Sequence, residues 1–82
     1  MNPIRKKVTL ASVRSTATTL ILAQGVTTTL AVKMALRDRG YWARQADISQ
    51  KLIRIALREG WSVNDNGTFR VYYFPTLPAL LN

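Results

Sequence analysis

Apolar residues in this chain recur at helical spacing in three stretches and alternate with polar ones in a fourth. From Thr9 onward, Leu10, Val13, Ala17, Leu20 and Ile21 fall on one stripe, and Gly25 follows as a stop. This predicts a first helix, with a strand through residues 8–10 as the alternative for its start. Thr16, Thr18 and Thr19 are weak helix formers because branching at Cβ restricts χ1, so packing must hold this helix together. Thr27, Thr28 and Thr29 then offer N-caps for a second helix. Its broad apolar sector is Leu30, Ala31, Val32, Met34, Ala35 and Leu36, its opposite side is Thr29, Lys33 and Arg37, and Gly40 closes it.

The third helix is expected over residues 47–59, capped by Asp47 or Ser49 and ended by Gly60. At about 100° per residue, Ile48, Leu52, Ile53, Ile55, Ala56 and Leu57 fill one sector, and Gln50, Lys51, Arg54 and Arg58 fill the other. The segment between these two helices, Tyr41-Trp42-Ala43-Arg44-Gln45, is too aromatic for a plain linker. It is expected to tuck an aromatic ring into the core while holding Arg44 and Gln45 beside the third helix.

Beyond Gly60 the period changes to two. Trp61 and Val63 alternate with polar residues, as do Phe69, Val71 and Tyr73 across the turn signal Asn64-Asp65-Asn66-Gly67. An antiparallel hairpin follows, with Trp61, Phe69 and Tyr73 facing inward and Tyr72 and Phe74 on the other face. Pro75 and Pro78 end regular structure before a short apolar tail of Leu77, Leu80 and Leu81. At the other end, residues 1–8 form a basic arm in which Pro3 disfavours helix at Asn2.

Composition narrows the function. Eighty-two residues make one domain, residues 1–82, with no room for a second core. Twelve Lys and Arg against four acidic residues give a net charge of +8, which favours a phosphate-bearing partner or an anionic surface. The longest unbroken apolar run, Leu20-Ile21-Leu22-Ala23, falls far short of the ~20 residues a bilayer needs, so no membrane partner is expected. Arg14 and scattered Ser and Thr interrupt any apolar stretch behind Arg5-Lys6-Lys7, so the N-terminus reads as retained and the protein as cytoplasmic.

The chain contains no His and no Cys, which removes the common proton shuttle, the soft nucleophile and any disulfide framework. Asp38, Asp47, Glu59 and Asp65 are scattered over caps, helix ends and a turn, at no metal-binding spacing. The glycines stand too far apart for a phosphate loop. The expectation is a protein that is not an enzyme, with no cofactor, no metal and no evident small-molecule site.

Three helices followed by a hairpin, with a basic third helix, give an α+β domain that resembles the winged helix-turn-helix proteins over roughly residues 9–74. The resemblance lies in element order, hairpin and charge placement, and is greatest to small proteins of bacteria and their phages. It implies a third helix in the major groove of duplex DNA and a hairpin wing near the backbone. Carried over by position, the groove-facing residues would be Arg44, Gln45, Ser49, Gln50, Lys51, Arg54 and Arg58, with Arg70 on the wing and Lys33 and Arg37 on the backbone. Such a protein would regulate transcription.

The residue chemistry is consistent with that. Arg reaches two guanine acceptors, Gln pairs with adenine, and Lys neutralises phosphate. The connection over residues 40–46 is longer than the tight motif, and the hairpin turn carries no basic residue. Two other readings stand beside this one. The same face can bind a protein, as a module that recognises or inhibits a partner, and the aromatic residues allow RNA. The apolar tail would suit a homodimer offering two basic helices to two half-sites.

Overall fold

The computed structural model describes residues 6–75; the apolar tail, and the homodimer expected through it, lie outside them. Eight elements follow in order: β1 (Lys6–Lys7), α1 (Leu10–Gln24), β2 (Thr27–Thr28), α2 (Thr29–Asp38), β3 (Tyr41–Trp42), α3 (Gln45–Glu59), β4 (Ser62–Asp65) and β5 (Arg70–Tyr73). The fold is α+β, three helices against a small antiparallel sheet of three strands in the order β2-β5-β4. A separate parallel pair joins β1 to β3.

α1 begins where its sequence says it should. The Thr9 hydroxyl accepts from the Ser12 N–H at 3.1 Å, and the Ser12 hydroxyl accepts from the Thr9 N–H at 2.9 Å, a reciprocal capping box. The strand near its start is real but earlier, at residues 6–7. α1 buries Val13, Thr16, Ala17 and Ile21 against the other two helices. Gly25 ends it in the left-handed region at φ 87°, donating its N–H to the Ile21 carbonyl.

α2 is capped by Thr28, whose hydroxyl accepts from the Ala31 N–H at 3.1 Å. Its apolar sector is narrower inside than expected. Val32 and Leu36 are fully buried, whereas Leu30 and Met34 are 53% and 50% exposed. Thr29 and Lys33, expected to face outward, are half-buried. The reason is that α3 packs on this side of α2, bringing the Lys33 ammonium to 3.5 Å from the Gln45 amide oxygen.

α3 starts two residues before Asp47, and neither Asp47 nor Ser49 is its N-cap. Arg44 holds that position and makes no side-chain cap bond. The start is fixed from outside the helix instead: Ala43 is fully buried, and Arg37 Nε donates to the Ala43 carbonyl at 3.0 Å. Asp47 then falls in the first turn, where a carboxylate favours the helix dipole. Inside, Ile48, Leu52, Ile55 and Ala56 join Val13, Val32, Leu36 and Tyr72 in the core. Leu57, placed in the apolar sector by its spacing, is 79% exposed. Gly60, at φ 75°, ends the helix and donates to the Ala56 carbonyl.

The hairpin forms between β4 and β5, but the inward face of β5 is the opposite of the one expected. Tyr72 is fully buried, while Phe69 is 51% exposed. Asp65 pairs with Arg70 and Val63 with Tyr72, so the loop is residues 66–69. An even loop pairs odd positions of β4 with even positions of β5, which puts Trp61 and Val63 on the same face as Tyr72 and Phe74. Trp61 and Phe74 meet edge to face at 5.4 Å. β2 pairs with the other edge of β5 through Thr27 and Tyr72, making β5 the central strand.

Candidate nucleic-acid interface

α3 carries most of the residues that the sequence singles out, and it presents them unequally. Ile48, Leu52, Ile55 and Ala56 turn one side to the core, so the opposite side exposes Ala46, Gln50, Arg54 and Leu57, with Arg58 beside them. Among the described residues Arg54 and Arg58 have no hydrogen-bond or ion-pair partner. Lys51 is engaged: its ammonium donates to the carboxylate of Asp47, one turn before it. A guanidinium with no internal acid presents its whole donor fork outward. It can take a base edge or a phosphate without breaking anything.

On one flank of this face lies an open cleft of about 730 Å³, lined by Thr28, Leu30, Gln45, Ser49, Phe69 and Arg70 among others. Its hairpin wall is stiffened by the loop's own side chains. Asp65 accepts from the Gly67 N–H at 2.9 Å, and Asn66 accepts from the N–H groups of Thr68 and Phe69. The Gly67 N–H, and next to it Arg70, hold the Asp65 carboxyl below its ordinary 3.8. Arg70 Nε donates to Asp65 Oδ2 at 3.2 Å, and a second nitrogen reaches Ser49 Oγ at 3.4 Å. Arg70 and Ser49 therefore tie the hairpin to α3 rather than standing free.

Two buried hydroxyls, those of Thr27 and Tyr72, residues paired between β2 and β5, lack a hydrogen-bond partner among the described residues. Burial pushes the Tyr72 phenol up, and the Arg70 guanidinium nearby opposes this without reaching hydrogen-bond geometry.

The second flank holds residues that the sequence reading left out of the site. Because β1 runs parallel to β3, Lys6 pairs with Tyr41 and Lys7 with Trp42. With Arg44 and Lys51 they line a second open cleft, of about 750 Å³, which also includes Val8, Trp42 and Asp47. The Lys6 ammonium lies 5.3 Å from the Tyr41 ring centroid, and the Arg37 guanidinium 5.7 Å from that of Trp42. The ring expected in the core is thus Tyr41, which packs against it, and not Trp42, which is half exposed. Arg37 braces the connection between α2 and α3 through Ala43 and Trp42. The signal for Lys6 and Lys7 was the basic doublet itself; its place beside α3 depends on a pairing across the chain.

Comparison with protein-family models, with curated proteins and with solved structures finds no match to this chain. No helix among the described residues is long and apolar enough to cross a membrane.

Proposed function

We propose that this chain is a small DNA-binding protein of the winged helix-turn-helix type, with α3 as the element that enters the major groove. One observation carries the reading: Gln50, Arg54 and Arg58 stand, with the apolar Leu57 and Ala46 among them, on the exposed side of a helix whose other side is locked into the core. The order of elements supports it, since a three-stranded sheet ending in the β4–β5 hairpin stands beside that helix. So does the charge, +8 over 82 residues. Gln45 and Gln50 suit adenine, Arg54 suits guanine or phosphate, and Arg58 suits phosphate. Duplex DNA fits better than RNA because the major groove of an A-form helix is too deep and narrow for side chains to read. A transcriptional regulator acting in the cytoplasm of a bacterial cell, or of a phage-infected one, is the role that follows.

Protein purified without nuclease is expected to carry nucleic acid, seen in its absorbance ratio, and to shed it in a high-salt wash. A labelled duplex bound to the washed protein should be displaced by unlabelled duplex and not by single-stranded RNA of equal phosphate content. Equal displacement by RNA, or no binding to either, would overturn the proposal. A second reading, recognition of a protein partner, is favoured by Leu30, Met34 and Phe69, apolar side chains half exposed on α2 and the hairpin. Binding that persists unchanged in high salt would support it.

A further inference from the structure

We infer that the cleft between β1, β3 and α3 is a second anchor for duplex DNA, in which Lys6, Lys7 and Arg44 grip the phosphodiester backbone along one wall of the groove that α3 occupies. This rests on the DNA-binding reading above and extends it to residues outside the third helix and the hairpin. Three observations carry it.

The first is placement around α3. Residues 45, 46 and 49 line the hairpin cleft, and residues 47 and 51 line the basic one. At 3.6 residues per turn, positions 47 and 49 are about 200° apart, so the two clefts bracket the exposed face of Gln50 and Arg54. A major groove admits a helix with little room to spare and is walled by a phosphate strand on each side. Anything that bracketed α3 would meet those walls.

The second is charge. Four cations line this cleft against one carboxylate, Asp47, and that carboxylate is already held by Lys51. Lys6, Lys7 and Arg44 have no acidic partner among the described residues. The hairpin flank offers only Arg70, which is tied to Asp65 and Ser49. The grip on phosphate is therefore stronger on the β1 side than on the hairpin side.

The third is that the main chain carrying both lysines is held beside α3. Lys6 donates its N–H to the Gly40 carbonyl at 2.9 Å, and the β1–β3 pairing fixes both residues by backbone bonds. These bonds hold the main chain and make no use of the ammonium groups, so neutral side chains can replace the lysines without undoing the strand.

The test is the salt dependence of duplex binding, read by fluorescence anisotropy between 50 and 200 mM salt on a labelled duplex of about 25 base pairs. Each phosphate neutralised contributes about 0.9 to the slope of log K against log salt. The double variant Lys6→Gln/Lys7→Gln should flatten that slope by nearly 2 and weaken binding roughly tenfold or more at 50 mM salt. It should do so equally for every duplex sequence, because phosphates carry no sequence. Arg44→Gln, outside β1, should flatten the slope by about 0.9 and serves if the double variant disturbs the strand. If Arg54→Ala weakens binding but both of these variants keep the wild-type slope and affinity, the inference falls and the role of α3 stands. If the wild-type protein binds no duplex at all, both fall.

Discussion

Arg54 and Lys51 lie three positions apart on α3, yet only Lys51 has a carboxylate to hold it. The sequence treats them alike, and the structure gives them different surroundings. Arg54→Ala should weaken duplex binding by about 1–3 kcal/mol and leave the melting temperature unchanged, since an exposed side chain is removed. Lys51→Ala should cost binding less, because that ammonium is already shared with Asp47. Anisotropy titrations paired with thermal melts check both, and an Arg54→Ala protein that binds like wild type would remove α3 from the interface. Leu52→Ala is the reverse case. Leu52 is fully buried, so truncation should cost roughly 2–5 kcal/mol of stability, read from a denaturant melt. Tyr72 differs from both. Its ring belongs to the core, but its hydroxyl is buried without a good partner. Tyr72→Phe should therefore leave stability unchanged or raise it, because a desolvated polar group is removed with no bond lost. A fall of several degrees in melting temperature would show that the hydroxyl is bonded after all.

Among the elements, the hairpin loop has a stability that should follow pH in acid. Asp65 has its pKa lowered in the folded protein, first by the Gly67 N–H and then by Arg70. A carboxyl lowered on folding adds stability that is complete above its unfolded value, near 3.8, and is lost as pH falls through the lower folded value. Acid should thus loosen the loop, with the amide resonances of Gly67 shifting at a midpoint below 3.8, and Asp65→Asn should abolish that transition. A midpoint at or above 3.8 would mean that the turn does not hold the carboxylate.

The same elements show which parts of this fold a sequence can reveal. Helix ends were legible where Gly25 and Gly60 mark them, because a left-handed stop is a property of one residue. The start of α3 was not, since Arg44 has no capping oxygen and the start is set by the burial of Ala43. Strands of two residues, such as β1, β2 and β3, are too short to show a period. The hairpin was legible from its Asn and Gly, but its inward face depends on loop parity, which composition does not state. The basic face of α3 was visible as spacing. The flank made by Lys6 and Lys7 was not, because it exists only through pairing with Tyr41 and Trp42.

At the scale of the whole molecule the question is what a net charge of +8 is for. Three of the four acidic residues are used internally: Glu59 pairs with Arg14, Asp47 with Lys51, and Asp65 with Arg70. These pairs draw off cations on α1, on one edge of α3 and on the hairpin. They leave eight cations without an acid among the described residues: Lys6, Lys7, Arg44, Arg54 and Arg58 on α3 or in the basic cleft beside it, and Lys33, Arg37 and Arg39, which donate instead to the neutral oxygens of Gln45, Ala43 and Thr16. The five on α3 and in its cleft are the ones whose side chains have no hydrogen-bond partner among the described residues. If these five side chains each neutralise one phosphate, log K should fall against log salt with a slope of about −4 to −5. Between 50 and 200 mM salt the affinity should then drop by about two to three orders of magnitude. A slope near −1 would mean that the cations are spread over a solvated surface and act one at a time. A slope near zero with tight binding retained would mean that the exposed side of α3 fits an uncharged surface, and that the partner is a protein.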